Sequence, residues 1–128
     1  MLAIDNNGML LDMMKEMYRQ NGVECDTCQT VGELTDLMRT KDYDLLITDL
    51  KMPEVNGYEV LELLRTSEIG NSQTIPVVAA TAAGYVEKEE LTGKGFAAVL
   101  YKPYSIDELL AVTESCIKRN KANSIDLS

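Results

Sequence analysis

Five side chains of complementary chemistry stand at the carboxyl ends of apolar runs in this 128-residue chain. Asp5 and Asn6 follow Met1-Leu2-Ala3-Ile4, and Asp49 follows Leu45-Leu46-Ile47-Thr48. Thr81 follows the run Ile75 to Ala80, and Lys102 follows Ala97 to Leu100 and Tyr101. Two carboxylates and an amide oxygen make a hard-oxygen set suited to Mg²⁺, an ion that keeps several of its waters. Mg²⁺ and an ammonium together neutralise a phosphoryl group, and a threonine hydroxyl can donate a hydrogen bond to it. An aspartate beside such a clamp is placed to attack phosphorus and become an aspartyl phosphate. The chain has no His, which excludes an imidazole base, a histidine metal ligand and a histidine phosphocarrier. No glycine-rich phosphate loop follows the first run, so neither a P-loop nucleotide site nor a flavodoxin-type flavin site is expected.

Those residues share one site only if the runs lie side by side. The apolar runs alternate with amphipathic segments at a steady interval. Met1–Ile4, Val23–Cys25, Leu45–Ile47, Ile75–Ala80 and Ala97–Leu100 read as strands, most without polar alternation, as for strands covered on both faces. Between them, Leu10, Met13, Met14 and Met17 form a helical stripe that ends near Asn21-Gly22. Thr30 to Glu33 and Ser105 to Glu108 are capping-box sequences. Val31, Leu34 and Met38 line the first of these helices, and Ile106, Leu109, Leu110, Thr113 and Ile117 the second. Val60, Leu61 and Leu64 mark another helix after Pro53 and Gly57, and a weak one spans roughly Tyr85 to Gly93. Five strand–helix units predict an α/β domain with a parallel sheet and right-handed crossovers. In such sheets ligands bind beyond the carboxyl ends of the strands, where all five side chains fall. After Arg119 the chain is polar without clear period, so residues 1–118 read as one domain and 119–128 as a polar tail or linker.

Twelve basic and 21 acidic residues give a formal charge of −9. That balance repels phosphate backbones and anionic lipids, so neither direct nucleic-acid binding nor membrane contact is expected. No run approaches the roughly 18 residues of a membrane span, and no secretory signal opens the chain. Three cysteines, Cys25, Cys28 and Cys116, suit a reducing, cytoplasmic compartment better than a disulfide scaffold. Cys25-Asp26-Thr27-Cys28 spells C-x-x-C, but it sits on a strand without the flanking pattern of a redox motif, and reads as two small packing residues.

The chain resembles the receiver domains of two-component response regulators and of hybrid sensor histidine kinases. The most specific match is Asp49-Leu50-Lys51-Met52-Pro53-Glu54-Val55-Asn56-Gly57, a D-x-x-M-P-x-x-x-G pattern. Ile4 to Asn7, Ala80-Thr81-Ala82 and Lys102-Pro103 supply the family's other signatures in order, and the resemblance runs from Met1 to about Ile117. The string Gly95 to Pro103 looks most like receivers of hybrid kinases. The resemblance implies a flavodoxin-like, doubly wound five-stranded parallel sheet of order 2-1-3-4-5 with five helices. It implies transfer of a phosphoryl group from a phosphohistidine of a histidine kinase or phosphotransfer domain onto Asp49. Mg²⁺ would be held by Asp5, Asn6, Asp49 and the Lys51 carbonyl, with Thr81 and Lys102 against the phosphoryl group. An output domain in the same protein is implied as well. Such a domain is not an enzyme in the usual sense, because it gains and loses phosphate on its own residue.

Two positions depart from the family pattern. Asn6 stands where the family usually has a second acid, which predicts weakened Mg²⁺ binding. Val99 stands where the family commonly has a Tyr or Phe that turns inward, and Tyr101 falls on the same face two residues on. A degenerate receiver that binds partners without phosphorylation is the alternative reading. A small-molecule phosphatase is disfavoured, because Lys51 occupies the position where those enzymes carry a second Asp.

Overall fold

The computed structural model describes residues 1–82 and 86–126, with side chains through residue 120. The chain alternates β1 (Leu2–Ile4), α1 (Gly8–Gln20), β2 (Asp26–Cys28), α2 (Val31–Thr40), β3 (Leu46–Asp49), α3 (Gly57–Thr66), β4 (Val77–Ala82), α4 (Lys88–Gly93), β5 (Ala98–Lys102) and α5 (Ile106–Asp126). The strands form one sheet in the order β2-β1-β3-β4-β5, and every pairing is parallel. This is the doubly wound, flavodoxin-like arrangement expected from the sequence.

Strand side chains alternate between two apolar layers. Leu46, Val77 and Ala79 pack with Leu34 and Met38 of α2, Val60, Leu61 and Leu64 of α3 and Leu91 of α4. Ile47, Val78, Ala80 and Leu100 face the other way, onto Leu11, Met14 and Tyr18 of α1 and Leu109 and Cys116 of α5. So α1 and α5 cover one face and α2, α3 and α4 the other. Within the α1–α5 layer, the Tyr18 hydroxyl and Thr113 Oγ1 share a buried hydrogen bond of 2.6 Å. On the opposite face, Arg65 donates to the carbonyls of Ser72 and Ile75 and so ties the end of α3 to the approach of β4.

Four sequence expectations shift. The α1 stripe is rotated: Leu11, Met14 and Tyr18 are buried, whereas Met13 is 51% exposed and Met9 75%. Tyr18, fully buried, sets the helix face that turns inward. The second strand is Asp26–Cys28 rather than Val23–Cys25. Val23 belongs to the end of α1, its N–H donating to the Tyr18 carbonyl, and Gly22 turns there with φ 73°. Asp26 then opens the ladder by donating to the Met1 carbonyl. Cys25 and Cys28 lie in opposite apolar layers as free buried cysteines, consistent with packing roles. The weak helix begins at Lys88, and Tyr85, where the expected span starts, lies outside the described residues. The last helix continues through Asp126, beyond the point where apolar periodicity ends. Among the described residues no helix is long and apolar enough to cross a membrane.

Candidate functional site

Strand register brings the polar residues to one edge. Ile4 pairs with Thr48, Asp49 with Ala80, Thr81 with Tyr101 and Ala82 with Lys102. Asp49 and Lys102 therefore end β3 and β5, Asp5 lies one residue past β1, and Thr81 is the next-to-last residue of β4, so all four fall at one edge of adjacent strands.

Lys102 joins the acids. Its Nζ lies 3.4 Å from Asp5 Oδ2 and 3.3 Å from Asp49 Oδ1. The two carboxylates are only 11% and 12% exposed and the ammonium 26%, so bulk solvent screens these contacts weakly. The other oxygen of Asp5 accepts the Asn7 N–H at 2.9 Å, which fixes the carboxylate against the first turn of α1. Burial pushes the Asp49 carboxyl above the ordinary carboxylate range; the neighbouring Lys102 opposes that shift, and the negative charge of Asp5 adds to it. Asp49 is thus an acid whose ionised form depends on a cation beside it.

The loop after β3 is shaped around this acid. The Lys51 N–H reaches Asp49 Oδ1 at 3.4 Å, and its side chain is exposed. Gly57 packs back onto the strand end, donating to the Leu50 carbonyl at 3.0 Å. A Cβ at Gly57 would sit 2.8 Å from the Asp49 carbonyl oxygen, so the glycine that closes the motif is required by close approach of backbones. Asn56 caps α3 in a full capping box with Glu59, which the sequence reading did not single out.

The remaining predicted residues, Thr81 and Asn6, stand outside these contacts. Thr81 is 3% exposed, one residue past Ala80, the strand partner of Asp49. Asn6 is exposed and lines a cleft of about 640 Å³ with Gln29, Thr30, Met52 and Val55. Among the described residues, neither Asn6 nor Thr81 hydrogen-bonds to Asp5, Asp49 or Lys102. Among them, too, no cluster of three or more His, Cys, Asp or Glu could hold a metal. What the edge offers is two carboxylates supplemented by neutral oxygens, a donor set that fits Mg²⁺ with several retained waters and suits softer metals poorly. Tyr104 is a further neighbour missed in the sequence. It follows the cis Lys102–Pro103 bond, and its phenol is pushed up to about 12 by burial first and by the charges of Asp5 and Asp49 next. Its place two residues past Lys102 was the available signal.

Comparison with known proteins gives the family and the fold. Residues 1–114 match the family model of the response regulator receiver domain. The cell cycle response regulator CtrA of Brucella ovis is 28% identical over 123 residues, covering 96% of this chain and 52% of that protein. The chain thus spans about half the length of the curated relatives it matches. Among solved structures, the receiver domain of Francisella response regulator 1452 superposes with a TM-score of 0.79 at 29% identity, covering 92% of this chain and 95% of that one. The receiver domain of a Pseudomonas aeruginosa sensor histidine kinase, solved with magnesium coordinated in its active-site cleft, has a TM-score of 0.78 at 22% identity. It covers 91% of this chain and 95% of its own, and at that identity it speaks to fold alone. With nearly all of its sheet and helices inside the matched span, the chain belongs to the response regulator receiver domain family.

Proposed function

We propose that Asp49 is the phosphoacceptor of a two-component phosphorelay, taking its phosphoryl group from a phosphohistidine of a histidine kinase or phosphotransfer domain. The observation that carries this reading is the Asp5–Lys102–Asp49 triad at the carboxyl edge of the sheet. An Asp49 oxygen forms the new P–O bond as the P–N bond to the partner's imidazole breaks, and the imidazole leaves with a proton. Lys102 keeps Asp49 ionised before transfer and faces the phosphoryl oxygens afterwards. Thr81, at the adjacent strand end, is assigned the hydrogen bond to a phosphoryl oxygen. Asp5, Asn6, Asp49 and the Lys51 carbonyl would hold Mg²⁺, which when bound supplies positive charge against the phosphoryl oxygens. Asn6 contributes a neutral oxygen, so the site binds the ion more weakly than one with a third acid.

On this reading residues 1–118 form the receiver proper, and the segment from 119 leads toward a further domain. The Gly95 to Pro103 string favours a hybrid kinase as the parent protein, acting in the cytoplasm. A second reading is favoured by one observation, the exposed Asn6 without a bond to the triad: a receiver that binds partners without phosphorylation. Incubation with Mg²⁺ and a small acyl phosphate, followed by intact mass, separates them. One phosphoryl group that disappears in Asp49→Asn supports phosphotransfer, whereas no addition supports the binding module.

A further inference from the structure

We infer that the Tyr101 hydroxyl is a tether that positions the start of α4 relative to Thr81, so that α4 follows changes at the phosphoryl site; the second half of this inference rests on the function proposed above. Tyr101 pairs with Thr81 in the β4–β5 register, and paired residues of parallel strands share a face. That face is the one covered by α2, α3 and α4, since Val77, Ala79 and Val99 all pack there. The ring of Tyr101 is half-buried, and its hydroxyl donates to the carbonyl of Val86 at 3.2 Å. Val86 lies two residues before α4 and packs against the same apolar layer.

Among the described residues, little else of a specific kind holds that end of α4. The helix has six residues, its N-cap Glu87 makes no side-chain capping bond, and Leu91 is its only buried residue. By contrast α1, α2 and α3 each begin with an Asn or Thr whose side chain accepts backbone N–H groups. A single hydroxyl bond therefore carries more of the orientation here than it would at a well-capped helix. Because Tyr101 sits opposite Thr81, movement of that strand end shifts the tether together with the threonine. Val99 has no hydrogen-bonding group with which to do the same. Tyr101 is thus a positioning residue, which acts through Val86 and α4 and does not touch the phosphoryl group.

The test compares the 128-residue chain with Tyr101→Phe, which keeps the ring and its packing but removes the donor. Amide hydrogen exchange is followed at residues 87–95, before and after loading with acyl phosphate and Mg²⁺, with phosphoryl stoichiometry read by intact mass. Before loading, exchange at these amides should rise about fivefold in the variant, the factor one ordinary hydrogen bond carries, while amides of β1 and β3 stay unchanged. After loading to equal stoichiometry, the parent should change its exchange over 87–95 and the variant should change by less than half as much. Equal exchange in the two proteins before loading overturns the tether. Equal responses at equal loading overturn the coupling while leaving Asp49 as acceptor. If neither protein takes up phosphate, the proposed function and the coupling fall together, and the unloaded comparison alone decides the tether.

Discussion

Replacing Lys102 by Met removes one charge that faces two poorly solvated carboxylates, and the distances allow the effect to be sized. At 3.3 and 3.4 Å and an effective dielectric of about 20, each contact corresponds to about 5 kcal/mol of gross attraction. Desolvation of three charged groups offsets most of it. Exposed pairs are worth up to about 1 kcal/mol, and breaking fully buried ones costs about 3–5 kcal/mol. With the acids about a tenth exposed and the ammonium about a quarter, a loss of ~2–3 kcal/mol at neutral pH is expected. For a chain of 128 residues, at ~2.1 cal/mol/K of unfolding entropy per residue, that lowers Tm by roughly 7–11 °C.

The pH dependence makes this test specific. Lys102 holds the Asp49 carboxyl lower than burial alone would leave it, so its stabilising contribution toward Asp49 exists only while that acid is ionised. The deficit of Lys102→Met should shrink as pH falls and the Asp49 carboxylate takes up its proton. Adding Mg²⁺ at neutral pH should recover part of it, because a second cation then faces the same oxygens. Urea denaturation of both proteins across pH 3.5 to 7.5 measures this. A deficit of equal size at both ends would show that Lys102 acts through packing of its stem, and would refute the electrostatic argument.

Asp49→Asn should stabilise the protein at neutral pH. The folded-state pKa of Asp49 is raised from 3.8, so the native state holds the proton more tightly than the unfolded chain, and stability declines as pH rises through that window. The gain should appear in thermal melts near pH 7 and fade below about pH 4. Asn6→Asp should tighten Mg²⁺ about tenfold, a net ~1–2 kcal/mol after the new acid's hydration loss and repulsion are deducted, and should slightly lower stability without the ion. A Mg²⁺ titration read by thermal protection tests it, and unchanged affinity would remove Asn6 from the ligand set. Gly57→Ala should cost roughly 1–3 kcal/mol in urea unfolding, because its methyl would press on the Asp49 carbonyl oxygen at 2.8 Å and Leu50 Cδ2 at 2.9 Å. A near-neutral effect would mean that the β3–α3 loop yields easily.

The strand-end residues were legible because each follows an apolar run that fixes where its strand stops. Parallel pairing of β3, β4 and β5 brings the ends carrying Asp49, Thr81 and Lys102 to one edge, which the βαβ rule anticipates. β2 was misplaced because Asp26-Thr27-Cys28 carries no apolar signal; backbone bonding to β1 makes it a strand. The register of α1 was misread because four methionines between residues 9 and 17 leave two helical faces about equally apolar, and Tyr18 decides between them. The continuation of α5 to Asp126 runs through residues without an apolar period, so helix propensity carries it where the sequence pattern is silent. The Asn56–Glu59 capping box was hidden within a stretch read for its chemistry, and the Tyr101 bond joins residues 15 apart that no local pattern connects.

Whether the acid joined to Asp5 through Lys102 receives phosphate is decided by peptide-level mass spectrometry after exposure to Mg²⁺ and a small acyl phosphate. One phosphoryl group is expected on the peptide carrying Asp49, dependent on Mg²⁺, absent from Asp49→Asn and reduced in Lys102→Met. Phosphate located on any other residue, or undiminished labelling of Asp49→Asn, would contradict it.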